Sequence, residues 1–147
     1  MNTDNWFSDA YNFHDGFACV LRADGLSAHL TTEGKILRGQ WYEYAGFFHN
    51  GFAKVEFENG LKAFIDNEGN ILGDERFLSA YSFSNGYARV QRHGDGKWGL
   101  LGKDGKILGN KWFLSVENFN LGFARVELSN NTFGFLDGNG NITQAFS

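Results

Sequence analysis

The chain repeats itself about every 35 residues, and this period constrains its fold more than any other feature. Four series of like residues keep one register, at spacings of 35, 35 and 36 residues. They are Phe13, Phe48, Phe83 and Phe119; Gly16, Gly51, Gly86 and Gly122; Ala18, Ala53, Ala88 and Ala124; and Val20, Val55, Val90 and Val126. The period predicts one domain over residues 1–147, made of repeats at about 6–40, 41–75, 76–111 and 112–146.

Glycine marks the turns inside each repeat. Eleven of twelve equivalent turn positions hold glycine, and the twelfth holds Asn131. Many of these glycines follow Asp or Asn, and such pairs between apolar runs are typical of β-hairpins. Between the turns, residues alternate with period two, so that Ala53 and Val55 share one face of a strand while Lys54 and Glu56 share the other. The pattern predicts an all-β chain.

Each repeat has room for a meander of three to four strands, including a short strand such as 35–37 after the second hairpin. The inward middle position of the second long strand is always small, which predicts close approach of a neighbouring element. It is held by Ala28, Ala63, Gly99 and Gly134.

A sheet of about 35 residues cannot cover its own apolar face, so neighbouring repeats must pack on each other. A closed propeller-like toroid needs no polar caps, whereas an open β-solenoid normally has them. Because the terminal repeats look like the inner ones, we expect the closed toroid rather than the open solenoid.

The third repeat carries a recognisable motif. It reads Phe-Ser-Asn-Gly-Tyr-Ala-Arg-Val over 83–90, followed by Lys97-Trp98-Gly99 and by Asp-Gly-Lys-Ile over 104–107. This resembles the WG-repeat family, also called KWG repeats. The other repeats depart from the motif, with Ser-Ala, Lys-Ala and Phe-Gly in place of Trp-Gly. The resemblance implies a bacterial β-repeat scaffold, often found near secreted toxin systems, and it brings no catalytic residues with it.

Charge and cysteine usage narrow the function classes. With 13 basic and 17 acidic residues the net charge is −4, which disfavours a nucleic-acid partner because such a protein needs a basic face. Cys19 is the single cysteine, so no intrachain disulfide can form. It shares its repeat position with Lys54, Arg89 and Arg125, which predicts an exposed thiol.

The first five residues resemble no secretory signal, and no apolar run is long enough to span a bilayer. We therefore expect a cytoplasmic protein that has no membrane partner.

The polar residues indicate turns rather than chemistry. His14 and His49 share a position that flanks a hairpin turn, His29 lies on a predicted packed face, and His93 lies in a loop. No spacing fits a zinc site, and the aspartates coincide with turns. We expect no catalytic residues, no metal and no cofactor, and hence no enzyme. An active site gathered from several repeats is the remaining enzymatic alternative.

The best candidates for a binding site are aromatic. Trp6, Trp41 and Trp112 share one repeat position, which Arg76 occupies in the third repeat. Such residues either fill the space between repeats or form stacking platforms for sugars. The insertion that contains Arg92, His93 and Asp95 makes the third repeat asymmetric, as expected of a protein-binding loop.

Together these observations predict a non-enzymatic module that binds a protein partner. By resemblance to the family, an immunity protein against a bacterial toxin is one such module. The alternative is a carbohydrate or small-molecule binder that uses the repeated tryptophans.

Overall fold

The computed structural model describes residues 7–129 and 131–144. The chain divides into two compact units, Met1–Ile71 and Leu72–Ser147, and each unit holds about two of the sequence repeats. The strands that pair within the described residues do so antiparallel, in sheets of three or four strands. The prediction of an all-β repeat chain is confirmed.

The first unit contains two three-stranded sheets, in the orders β1-β2-β3 and β4-β5-β6. Their strands are β1 Asp9–Ala10, β2 Phe17–Leu21, β3 Ser27–Thr31, β4 Tyr44–Ala45, β5 Ala53–Glu56 and β6 Lys62–Ile65. A short 3-10 helix, Leu37–Gly39, connects the two sheets.

The second unit contains a three-stranded sheet, β7-β8-β9, and a four-stranded sheet, β10-β11-β12-β13. Their strands are β7 Ser79–Ala80, β8 Tyr87–Gln91, β9 Trp98–Gly102, β10 Ser115–Val116, β11 Phe123–Ser129, β12 Thr132–Asp137 and β13 Ile142–Gln144. Two further 3-10 helices, Leu72–Asp74 and Leu108–Asn110, precede these sheets.

The expected strand at 35–37 is wrong. Only Ile36 forms a bridge, to Leu30, and the chain then enters the 3-10 helix, where Arg38 and Gly39 have φ values of 54° and 62°. Two successive residues in the left-handed region turn the chain away from the sheet. The third strand of each sheet is instead the two-residue strand that precedes the first hairpin. The fourth repeat differs, because β13 does pair with β12 there.

The predicted turns are confirmed. All eleven turn glycines have positive φ, and Asn131 has φ 59°. At the first hairpin, His14 and Phe17 exchange backbone hydrogen bonds of 2.7 and 3.1 Å around Asp15 and Gly16, whose φ values are 53° and 86°. This is the two-residue turn with two positive φ values whose twist suits antiparallel strands.

Neighbouring repeats complete each other's sheets within each unit. In the first unit Ser27 and Tyr42 exchange backbone hydrogen bonds of 2.8 and 2.7 Å, and Phe17 stacks on Phe48 with ring centroids 4.3 Å apart. The chain segment that opens one repeat therefore borders the sheet of the repeat before it.

The predicted small position also lies at such a contact. A Cβ atom on Gly99 would lie 3.1 Å from Trp112 Cε3 and 3.2 Å from Ile107 Cγ2, closer than side chains normally pack. Ala28 and Ala63, at the equivalent positions, are fully buried.

Gly99→Ala tests this close approach. The added methyl group must displace the Trp112 ring, so we expect a loss of about 1–3 kcal/mol in the free energy of unfolding, measured by chemical denaturation.

Gly138→Ala is the matched control, because its Cβ would meet only Phe119 Cζ at an ordinary 3.7 Å. We expect this variant to be neutral or slightly stabilising. Equal effects of the two substitutions would contradict the packing described.

Candidate functional site

Two of the predicted tryptophans lie beneath arginines. The guanidinium carbon of Arg92 lies 4.7 Å from the Trp112 ring centroid, and that of Arg22 lies 4.7 Å from the Trp41 ring centroid. Arg92 also donates two hydrogen bonds to Asp95, at 2.9 and 2.7 Å. The structure thus brings together three of the predicted site residues, Trp112, Arg92 and Asp95.

The first unit holds an equivalent stack on Trp41, formed by Arg22 and Asp24, two residues that the sequence did not indicate as site residues. Arg22 donates two hydrogen bonds to Asp24, at 3.0 and 2.6 Å, while it covers Trp41. An arginine therefore covers one face of each tryptophan ring, and the Trp112 ring also borders Gly99.

The carboxylates in these stacks accept hydrogen bonds from groups within their own loops. The side-chain hydrogen bonds from Arg92 lower the pKa of Asp95 most, and a hydrogen bond from the backbone N–H of Lys97 lowers it further. The pKa of Asp24 is lowered in the same way by Arg22 and by the N–H of Leu26. Both carboxylates are therefore charged loop anchors at neutral pH.

The remaining predicted residues are dispersed. Arg76 and His93 are both exposed, and Trp6 lies outside the described residues. Of the other histidines, His14 and His49 flank hairpin turns as predicted. Across residues 7–129 and 131–144, no group of three or more His, Cys, Asp or Glu side chains is placed to hold a metal ion.

The expectation for Cys19 is wrong. Its thiol is buried, and burial raises its pKa to about 11. Cys19 lies opposite the buried His29 in the register of β2 and β3, and its side chain is too short to extend past that residue as lysine or arginine can.

His29 lies in the interior of the first unit. Its Nε2 donates to the Gly46 carbonyl oxygen at 2.6 Å, while Nδ1 has no hydrogen-bond partner. The rings of Phe17, Tyr42 and Phe48 surround it at centroid distances of 4.8–6.5 Å. Burial lowers the pKa of His29, against the opposing effect of the Gly46 hydrogen bond.

An exposed aromatic cluster lies at the loop end of the first unit. Tyr11 and His14 each contact Phe47 edge to face, with ring centroids 5.9 Å apart in both pairs. Tyr11 and Phe47 are 54% and 51% exposed. Together with Asn12 and Phe13, these side chains line a concavity of about 390 Å³. We call Tyr11, His14 and Phe47 the aromatic cluster.

Local structure fixes this cluster. The Tyr11 amide donates to the Cys19 carbonyl at 3.0 Å, and the hairpin turn holds the His14 backbone. One sequence feature could have indicated this cluster. Phe47 is aromatic, whereas its repeat position holds Asn12, Ser82 and Asn118 in the other repeats. An aromatic residue at an otherwise polar repeat position indicates a use outside the fold.

The second unit has a larger concavity of about 590 Å³. It is lined by the backbone of turn residues and by Asn85, Tyr87, Lys103, Asp104 and Lys106. Asn85 already donates to the Phe119 carbonyl oxygen at 2.7 Å, so this groove offers fewer free polar groups than its size suggests.

The architecture defines a tandem β-repeat protein. Residues 42–61 and 63–98 match the family model described as WG containing repeat, which confirms the predicted resemblance. No curated protein matches the chain in sequence.

Several solved structures resemble the chain at low identity. They include the computationally designed Ika8 protein (14% identity, 94% of this chain and 49% of that chain, TM-score 0.42). BamB from Moraxella catarrhalis matches at 10% identity over 86% of this chain and 45% of that chain, with a TM-score of 0.43. The WD40 β propeller domain of Doa1 matches at 12% identity over 93% and 53%, with a TM-score of 0.41. The chain spans about half the length of these structures.

In the part of the chain that the structure describes, no helix has the length and apolar character needed to cross a bilayer.

The buried histidine predicts a dependence of stability on pH. Because the folded state lowers the pKa of His29 below 6.5, the unfolded chain binds more protons once the pH falls below about that value. The contribution of neutral His29 to the free energy of unfolding is therefore complete above this pH and declines as the pH falls below it. The His29→Leu variant, which has the residue found at Leu100, should lose this part of the pH dependence between pH 7.5 and 5.

The same variant should be less stable by about 1–2 kcal/mol at pH 7.5, because the Gly46 carbonyl loses its donor. Urea denaturation at each pH measures both effects. His49→Asn, at an exposed histidine, is the control and should keep the wild-type pH profile. If His29→Leu keeps it too, His29 is not the acid-sensitive group.

Proposed function

We propose that the chain is a non-enzymatic module that binds a protein partner through the aromatic cluster of Tyr11, His14 and Phe47. The observation that carries this proposal is the arrangement of two half-exposed aromatic rings and a histidine around one concavity. Aromatic side chains bury much area at a small cost in side-chain entropy, which is why they dominate the binding energy of protein interfaces.

The charge and the family resemblance narrow the partner. A net charge of −4 favours a basic protein, since complementary charges speed association. Because the WG-repeat resemblance implies a bacterial scaffold often found near toxin systems, we propose a toxin as the partner and neutralisation in the cytoplasm as the role. This last step is an analogy with the family and is independent of the cluster's geometry.

We also propose that the repeats close into a propeller-like toroid rather than continue as an open solenoid. The support is that all four repeats keep the period-two strand pattern and, together, eleven of the twelve turn glycines, so equivalent sheets can follow one another around a ring.

Capture of the partner tests the proposal. The tagged full-length chain is used to capture the products of the neighbouring genes in its native genome, and the affinity is then measured by calorimetry. Tyr11→Ala and Phe47→Ala should each weaken binding tenfold or more, because truncating a central aromatic anchor costs about 2 kcal/mol.

Tyr44→Ala is the matched control, since Tyr44 is an equally exposed aromatic of the same unit outside the cluster. It should leave the affinity within about twofold. Failure to capture any protein, or equal losses from all three substitutions, would contradict the proposal.

A carbohydrate ligand is the second candidate, supported by the concavity that combines aromatic rings with Asn12 and His14. Glycan-array binding that Tyr11→Ala abolishes would favour it over a protein partner. Binding abolished by Trp41→Ala and not by Tyr11→Ala would return the site to the repeated tryptophans.

A further inference from the structure

The first repeat exposes apolar residues whose equivalents in the fourth repeat are mostly buried. Phe7, Ala10 and Phe13 occupy the repeat positions of Phe113, Val116 and Phe119. Phe113 and Val116 are buried, whereas Ala10 is exposed and Phe13 is 52% exposed. We call Phe7, Ala10 and Phe13 the N-terminal face.

The fourth repeat presents a second such surface. Phe123 and Phe135 occupy the positions of Tyr87 and Leu100 in the third repeat. Leu100 is 1% exposed, whereas Phe135 and Phe123 are 40% and 48% exposed. We call Phe123, Phe135 and the adjacent Leu121 the C-terminal face.

The second unit shows what covers a surface of this kind. Leu100 and Tyr87 of the third repeat pack against Phe113, Val116 and Phe119 of the fourth. The rings of Tyr87 and Phe119 have centroids 4.8 Å apart. By repeat equivalence, the surface that fits the C-terminal face is the N-terminal face.

The first unit repeats this contact. Phe17, the equivalent of Phe123, stacks on Phe48, the equivalent of Phe13, at 4.3 Å. The same pair of positions is therefore used at both described junctions between repeats.

Leu121 adds an independent observation. It holds φ 52° at a turn position where the other repeats have Asp15, Asn50 and Asn85, and it is 91% exposed. Leucine is unfavourable in this conformation and gains nothing from exposure to water. At the equivalent position Asn85 reaches the following repeat, donating to the Phe119 carbonyl oxygen at 2.7 Å. An apolar residue here fits a surface that another repeat covers.

We propose that a second copy of the chain covers both surfaces: the C-terminal face of each copy binds the N-terminal face of the other. Phe13 on one face and Leu121 and Phe123 on the other are exposed, so each face has surface available to a partner. Two copies related by a twofold axis satisfy both contacts at once. The inference rests on the proposed closure of the repeats. It adds that two copies of the chain together supply the repeats that close.

The mass of the full-length chain in solution tests the proposal. Light scattering should give twice the 16.5 kDa of one chain, in a manner that depends on concentration. Phe13→Asp and Phe123→Asp should each give the mass of a single chain with an unchanged circular dichroism spectrum, because each places a charge in one contact. Tyr44→Asp, at an exposed aromatic outside both faces, should remain dimeric.

A mixing experiment identifies the contact. Phe13→Asp keeps its C-terminal face and Phe123→Asp keeps its N-terminal face, so equal amounts of the two should pair one to one through a single intact contact. Two results would overturn the inference: a chain that carries both substitutions and still dimerises, or a mixture of the two single variants that stays monomeric up to about 1 mM.

A monomeric wild-type chain would also overturn it. If Phe13 and Phe123 were then protected from solvent labelling, closure within one chain would stand, and if they were labelled, closure itself would fail. Partner capture is tested at Tyr11 and Phe47. Because Phe13 also lines their concavity, Phe123→Asp is the variant whose mass is read independently of partner capture.

Discussion

The fold depends on burying both sides of small sheets. A three-stranded sheet with strands of only two to five residues has two faces, and its own repeat cannot cover either one fully. At the two described junctions the aromatic residue after the first turn of one repeat packs against the aromatic residue before the turn of the next. Backbone pairs such as Ser27 with Tyr42 fix the register of this contact. Each repeat is therefore stable only as a neighbour of another.

The same requirement explains which positions vary. Where the following repeat of the same unit covers a sheet, the residue opposite the middle of the first long strand is buried, as with His29 and Leu100. Side chains at the loop end are free of this requirement, and there the repeats diverge into the aromatic cluster. The proposed binding site thus lies where the repeats diverge, on a scaffold that the repeat itself holds together.

Much of the fold could be predicted from the sequence, because the turn glycines and the period-two alternation are local signals. The strand expected at 35–37 failed for a local reason as well, since Arg38 is a non-glycine residue in the left-handed region, which propensity does not reveal. The burial of Cys19 could not be predicted from its equivalents, because lysine and arginine can extend past a buried cross-strand neighbour and a thiol cannot. The aromatic cluster joins Tyr11 and Phe47 from two repeats, and only the fold brings them together.

The most direct measurement of this account is a double-mutant cycle on Phe17 and Phe48, the pair stacked between the first two repeats. Phe17→Ala, Phe48→Ala and the double variant would be compared by urea denaturation. A stacked pair predicts a coupling energy of about 0.5–1.5 kcal/mol. If the two losses instead add to within about 0.3–0.5 kcal/mol, the rings act independently and the repeats are not held together by this contact.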